Sequence, residues 1–187
     1  MTGSAPLRLL GICGSLRTGS YNHAVLAAVP ELLPDGVSLE IFSGLGDIPA
    51  YNSDVQAQGF PPVVTALGEA IAAADGVILV SPEYNYSVPG VLKNAIDWVS
   101  RLSPQPFAAK PVSLMSASMG ILGGARMQYH LRQILVFLDA RPMNKPEVFI
   151  GAVHQKIIDG KLSDAGTRAF LADHLTAFAA WTRRQKD

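Results

Sequence analysis

The residues best suited to chemistry lie in three short, polar, glycine-bearing stretches. The first is Gly14-Ser15-Leu16-Arg17-Thr18-Gly19-Ser20, followed by Tyr21 and Asn22. It places two glycines, three hydroxyls and one arginine after an apolar run and before a helical pattern. A buried strand that breaks into a Gly/Ser loop and then a helix start aims backbone N–H groups and the positive end of the helix dipole at one spot, which suits an anion. The glycine spacing is that of a Walker A loop, yet Ser20 and Tyr21 stand where a lysine and a hydroxyl residue must follow. Without that lysine, no handling of β- and γ-phosphates is expected. The dinucleotide pattern GxGxxG is also missing. Cys13 ends the strand as the nucleophile of a cysteine phosphatase would, but the arginine of that chemistry belongs where Gly19 stands, and Arg17 comes too early. Cys13 reads as a small buried apolar residue. What remains is a cradle of hydroxyls, an amide and backbone N–H groups, which suits one phosphate monoester that is held rather than transferred.

The second stretch is Pro82-Glu83-Tyr84-Asn85-Tyr86-Ser87. A planar heterocycle stacked on it and hydrogen-bonded to its backbone is one reading; a turn with solvated tyrosines is the other. Glu83 has no carboxylate or histidine near it in the sequence to make it a general base. The third stretch carries Ser116, Ser118, Gly120, Gly123 and Gly124. Its glycines serve either close backbone approach to a ligand or turn geometry alone. One phosphate in the first stretch and a flat ring between the other two together describe flavin mononucleotide (FMN).

The elements that must position these stretches follow from apolar patterning. Residues 7–13, 76–81 and 111–117 are largely apolar runs without alternation, as expected of central parallel strands covered on both faces. Val37 to Phe42 alternates and predicts a less buried strand, and Met143 to Ile150 holds a fifth. Helical spacing is present over 22–33, 61–74, 89–102 and 125–138, and Ser163 or Asp164 caps a last helix to about Trp181. Residues 43–60 form a long irregular connection, of the kind that has a job or is mobile. Strand and helix thus alternate, which predicts an α/β, doubly wound five-stranded parallel sheet with helices on both faces, in the flavodoxin-like order 2-1-3-4-5. In that order the ligand lies beyond the carboxyl ends of strands 1 and 3, where all three stretches converge. Helix 89–102 is apolar on more than one face, which suits either burial inside one chain or packing on a second copy.

Bulk properties narrow the class. With 187 residues, 49% hydrophobic, the chain fits a single domain over 1–187. Basic and acidic residues balance at 15 each, so no general field draws nucleic acid or an anionic membrane. One cysteine permits no internal disulfide and fits a reducing compartment. The apolar run after Arg8 is too short for a secretory signal, and no stretch approaches the roughly 20 residues of a spanning helix. The chain therefore reads as soluble and cytoplasmic. The histidines, His23, His130, His154 and His174, show no metal-ligand spacing and read as helix-surface or loop residues.

Four blocks in order give the chain a close resemblance to the NADPH-dependent FMN reductases, in particular their bacterial quinone reductase/chromate reductase branch. They are Gly14 to Arg17 with Ser20 and Asn22; Pro82 to Gly90; Lys93-Asn94-Ala95-Ile96-Asp97-Trp98; and Ser118-Met119-Gly120 through Gly123 to Arg126 and on to Tyr129 to Gln133. The resemblance spans about Leu9 to Trp181. It implies bound FMN, with Ser15, Arg17, Ser20, Tyr21 and Asn22 near its phosphate and ribityl chain. Pro82, Glu83, Tyr84, Asn85 and Tyr86 would line the ring, and Ser118 would help hold it. Arg17 would face either the FMN phosphate or the phosphates of the nicotinamide nucleotide. The implied activity is transfer of a hydride from NADPH or NADH, via FMN, to quinones or to chromate, azo, nitro or free-flavin acceptors, with no essential acid–base side chain. It further implies a homodimer or homotetramer in which Arg126, Tyr129 and Glu147 join dimers. An electron carrier without its own NAD(P)H site is the second reading, and the balanced charge speaks against it, since such carriers are usually strongly acidic.

Overall fold

A computed structural model of the chain describes residues 6–185. The first half runs β1 (Leu7–Cys13), α1 (Tyr21–Ala28), β2 (Val37–Phe42), α2 (Ser53–Gln56), α3 (Pro62–Ala73), β3 (Gly76–Val80) and α4 (Gly90–Val99). The second half runs β4 (Pro111–Ala117), α5 (Ala125–Phe137), β5 (Arg141–Pro142), β6 (Val148–Ile150), β7 (Ile157–Ile158), β8 (Lys161–Leu162) and α6 (Ala165–Arg184). The main sheet is parallel throughout, in the order β2-β1-β3-β4-β5, with β6 also pairing β4. This is the flavodoxin-like arrangement.

The apolar runs behave as double-sided strands should. Within β1, Leu10 and Ile12 face a core shared with α3, α4 and α5, whereas Leu9 and Cys13 face a second core shared with α1 and α6. All of β3 and β4 is buried. Helix α4 is apolar on several faces because the chain's own core takes them: Leu92, Ala95, Ile96, Trp98 and Val99 are all buried here. The Lys93–Asp97 ion pair lies on a side of the helix that stays partly open to solvent.

Several expected boundaries move, each for a local reason. The helix expected over 22–33 is α-helical only to Ala28 and tightens into a 3₁₀ turn at Val29–Leu32, where Pro30 has no N–H to continue the ladder. Of the range 143–150 expected to hold the fifth strand only β6 is extended, and β5 precedes that range; both pieces pair with β4. Pro142 and Pro146 lack the N–H groups that a continuous edge strand would donate. The long connection 43–60 is tied down rather than loose. The carbonyl of Pro49 accepts from Trp98 Nε1 at 2.9 Å and Asn94 Nδ2 at 2.8 Å, and Asn94 Oδ1 accepts from Tyr51 N at 2.7 Å. Asp164 caps α6, accepting from Thr167 N at 2.8 Å, and the helix runs past Trp181 to Arg184.

His174 corrects the reading of all four histidines as surface or loop groups. It is 1% exposed, on the inner face of α6, with one ring nitrogen 2.7 Å from Ser113 Oγ and the other 3.0 Å from the Pro146 carbonyl. Burial lowers its pKa to about 4, so it is a neutral bridge between α6, β4 and the edge of the sheet.

Candidate functional site

The carboxyl ends of β1, β3 and β4 lie side by side, and the loops that follow them form one edge. Gly14 N donates to the Val80 carbonyl at 2.9 Å and Ser81 N to the Met115 carbonyl at 3.0 Å, so the three strands stay in register up to the point where they break. A side chain at Gly14 would collide with the Ser81 hydroxyl. Only glycine lets the first two loops start this close together.

In the first loop the Arg17 carbonyl accepts from Ser20 N at 3.0 Å, closing a turn. Ser20 then caps α1, its hydroxyl accepting from His23 N at 3.4 Å. Ser15 is buried and its hydroxyl accepts from Arg17 N at 3.4 Å. Among the described residues, the backbone N–H groups of Thr18, Gly19, Tyr21 and Asn22 make no hydrogen bond. A cluster of uncommitted donors at a helix start, with two hydroxyls beside it, fits a phosphate monoester. The FMN phosphate therefore matches the residues present. Arg17 is exposed, lies 5.5 Å over the Tyr21 ring, and lines a cavity of about 420 Å³ on the β2 side of the loop with Thr18, His23, Phe42 and Ser43.

Asn22 has a role that its position alone does not reveal. It is buried, and its amide makes two bonds to one residue of β4: Nδ2 donates to the Ala117 carbonyl and Ala117 N donates to Oδ1, both at 2.9 Å. Asn22 thus extends the end of β4 as an extra strand residue would, and ties the first loop to the third. Cys13 is buried, and desolvation pushes its thiol up, only partly offset by the Ser15 N–H and the Ser20 hydroxyl. A raised thiol pKa speaks against the phosphatase reading, as the misplaced arginine does.

The second loop is a two-residue hairpin turn. Tyr84 and Ser87 exchange both backbone bonds, at 3.0 and 2.9 Å, and Asn85 and Tyr86 between them have φ of 49° and 67°. Two consecutive positive φ angles define a type I′ turn. The turn presents Tyr84 and Tyr86 outward, the latter 66% exposed. Glu83, by contrast, turns inward. Its carboxylate pairs with Arg126 at 2.5 Å and accepts from Met127 N at 3.3 Å. A second link joins Ser87 Oγ to His130 Nδ1 at 3.0 Å. The turn is therefore pinned to α5 at both ends.

The third loop brings α5 up to that turn. Ser118 N donates to the Ile150 carbonyl, and the Ser118 hydroxyl donates to the Gly120 carbonyl, each at 3.0 Å. Gly123 and Gly124 have φ of 58° and 87°, and a Cβ on Gly123 would stand 2.6 Å from the Phe149 carbonyl carbon. These glycines are needed for turn geometry and for backbone packing against β6.

Ser15, Arg17, Ser20, Tyr21 and Asn22 gather at the start of α1, Pro82 to Tyr86 at the end of β3, and Ser118 at the end of β4. Of the trio assigned to contacts between copies, the Tyr129 hydroxyl donates to Glu147 at 3.1 Å within the chain, and Glu147 also pairs with Lys145 at 2.9 Å. Arg126 is engaged with Glu83 instead. The Glu83–Arg126 and Asn22–Ala117 links have no signature in the sequence.

Comparison with known proteins places these features in context. The family model for NADPH-dependent FMN reductase matches residues 7–155. A quinone reductase of Escherichia coli (strain K12) is 52% identical over 187 residues, covering 98% of this chain and 99% of that protein. An NAD(P)H-dependent FMN reductase of Pseudomonas aeruginosa is 50% identical over 182 residues, covering 97% and 98%. Among solved structures, the flavoenzyme NAD(P)H:(acceptor) oxidoreductase FerB from Paracoccus denitrificans superposes with a TM-score of 0.85 at 32% identity, covering 96% of this chain and 98% of that one.

Proposed function

The chain belongs to the NADPH-dependent FMN reductase family, and on that premise we propose that its carboxyl edge holds FMN, with the phosphate in the first loop and the ring against the second and third. The chain is an NAD(P)H-dependent FMN/quinone reductase. The observation that carries the placement of the cofactor is the set of uncommitted N–H groups at the start of α1, flanked by the Ser15 and Ser20 hydroxyls and lying on the same edge as the Tyr84–Ser87 turn. Bound FMN supplies the redox chemistry, accepting a hydride from the nicotinamide and returning two electrons to an acceptor. The chain's own residues then bind and orient. Thr18, Gly19, Tyr21 and Asn22 offer backbone donors to the phosphate. Pro82 to Tyr86 border the ring, and the Ser118 loop closes the other side. Arg17 is assigned to a phosphate of the cofactor or of the nicotinamide nucleotide, and its position on the β2 side of the loop favours the nucleotide.

We further assign the chain to a homodimer or homotetramer, with Arg126, Tyr129 and Glu147 on the face between copies; Tyr129 is about half exposed there. The purified protein is expected to be yellow, to bleach on anaerobic mixing with NADPH, and to regain colour when a quinone is added. Colourless protein that added FMN fails to reconstitute would sink the reading. A yellow protein that NADPH does not bleach would favour the electron carrier. Arg17→Ala is expected to raise KM for NADPH several-fold and leave FMN bound; loss of FMN instead would move Arg17 to the cofactor phosphate.

A further inference from the structure

Glu83 is the only carboxylate in the three loops, and it is buried. Its side chain is 8% exposed. One carboxylate oxygen pairs with Arg126 Nη2 at 2.5 Å. The other accepts from the backbone N–H of Met127 at 3.3 Å, in the first turn of α5, where the helix dipole favours an anion. The Arg126 guanidinium also stacks over the Tyr86 ring, 3.6 Å from its centroid. The contacts therefore form a closed path from the start of α5 to Glu83, to Arg126 and to the tip of the second loop. The path crosses the seam between the second and third loops: a Cβ on Gly124 would lie 3.9 Å from that of Glu83. A buried carboxylate stripped of its counter-charge is strongly unfavourable, so the pair holds the two loops at one spacing.

We propose that Glu83 and Arg126 are positioning residues of the flavin-ring pocket, fixing the second loop against the third and keeping the charge beside the ring balanced. This rests on the FMN reading above. It gives Arg126 a role inside its own chain, separate from any contact between copies. The two halves of the pair then act with opposite sign. Positive charge near a flavin ring favours its reduced form and negative charge the oxidised form, as Coulomb's law requires in a partly desolvated site. Removing the charge of Glu83 leaves Arg126 in excess, and removing that of Arg126 leaves Glu83 in excess.

The test uses full-length protein stripped of FMN and titrated with it, then the midpoint potential and sedimentation of the reconstituted protein. The variants are Glu83→Gln, Arg126→Gln and Arg126→Lys, with Arg168→Gln as a control that breaks the exposed pair with Glu31 near α1. Glu83→Gln and Arg126→Gln are expected to raise the FMN dissociation constant about tenfold or more. Their potentials are expected to move apart, Glu83→Gln upward and Arg126→Gln downward, each by about 30 mV, a tenfold change in a two-electron equilibrium. Arg126→Lys is expected to restore most of the potential, and Arg168→Gln to leave both readouts at the wild-type value. Shifts of the same sign, or no shift with unchanged FMN affinity, overturn the proposal. So does an Arg126→Gln protein that sediments as a smaller species but binds FMN normally, since Arg126 would then serve the interface alone. Wild-type protein that takes up no FMN would overturn the reading of the whole site and this proposal with it.

Discussion

The loop after β1 and the loop after β3 meet at one edge of the sheet, yet they use their polar groups in opposite ways. In the first, the N–H groups of Thr18, Gly19, Tyr21 and Asn22 make no hydrogen bond among the described residues, and its one charged residue, Arg17, is exposed. In the second, Tyr84 and Ser87 satisfy each other, Glu83 is held by Arg126 and Met127, and Ser87 meets His130. The first loop thus offers donors that an anion could take, whereas the second satisfies its polar groups within the chain. The difference matches the two ends of the proposed ligand. A phosphate gains from uncommitted donors because no bond within the chain is broken when it binds. A flat ring needs a wall that does not move, because stacking and edge contacts have fixed geometry.

With several of its donors uncommitted, the first loop depends on a strut that ties it to the sheet. Asn22 is that strut. Asn22→Ala would leave the buried N–H and carbonyl of Ala117 without partners, at a cost of about 2–4 kcal/mol. We expect a marked fall in Tm together with weaker FMN retention, read by thermal unfolding and by FMN titration. Asn22→Asp should be no better, since a carboxylate cannot donate to the Ala117 carbonyl. Unchanged Tm in both variants would mean that the end of β4 holds the first loop without help.

A smaller effect is expected at the helix cap. Ser20→Ala removes the acceptor for His23 N, at about 1 kcal/mol for an N-cap. If the hydroxyl also meets the phosphate, FMN affinity should fall by a further amount, about 1–3 kcal/mol for a lost hydrogen bond to a charged group. A drop in Tm with unaltered FMN affinity would reduce Ser20 to a cap and leave the backbone donors to hold the phosphate.

What could be read from the sequence follows the same division between local and distant causes. The unalternated runs at 7–13, 76–81 and 111–117 disclosed buried parallel strands because both faces of each are covered. The free donors of the first loop were legible because they follow from a strand, a Gly/Ser break and a helix start within one short segment. The ties of the second loop were not, because Glu83 finds its partners on α5, and nothing in a linear pattern pairs them. Asn22 could be recognised as a polar residue at a helix start, but Ala117 lies 95 positions on. Two further features did leave local signals. His174 falls between Leu171, Leu175 and Phe178 on the inward stripe of α6, a helical spacing that marks it as buried. The β7–β8 hairpin is announced by Asp159-Gly160, whose φ of 48° and 75° are the turn that this dipeptide prefers. The splitting of the fifth strand depends on where Pro142 and Pro146 fall relative to the β4 ladder, which only the assembled sheet decides.

The smallest expected change in stability sharpens the contrast most. Tyr86 sits at the tip of the rigid loop with φ of 67°, a left-handed conformation that costs a side-chain-bearing residue roughly 1–2 kcal/mol. Its ring over Arg126 returns something of similar size, about 0.5–2 kcal/mol for a cation–π contact. Tyr86→Gly removes both terms, so its Tm should lie within about 2 °C of the wild type in a chain of this length. Tyr86→Ala keeps the strain and loses the ring, so it should fall below Tyr86→Gly by about 2–4 °C. If the two variants unfold together, the backbone at Tyr86 is not strained and the loop has no stored cost to explain. If they separate as expected, glycine would have served the turn equally well, and a tyrosine that is 66% exposed is there for what it touches outside the chain. The corresponding functional readout is KM for a quinone acceptor, which should rise in both variants by the same factor, because both lose the same ring.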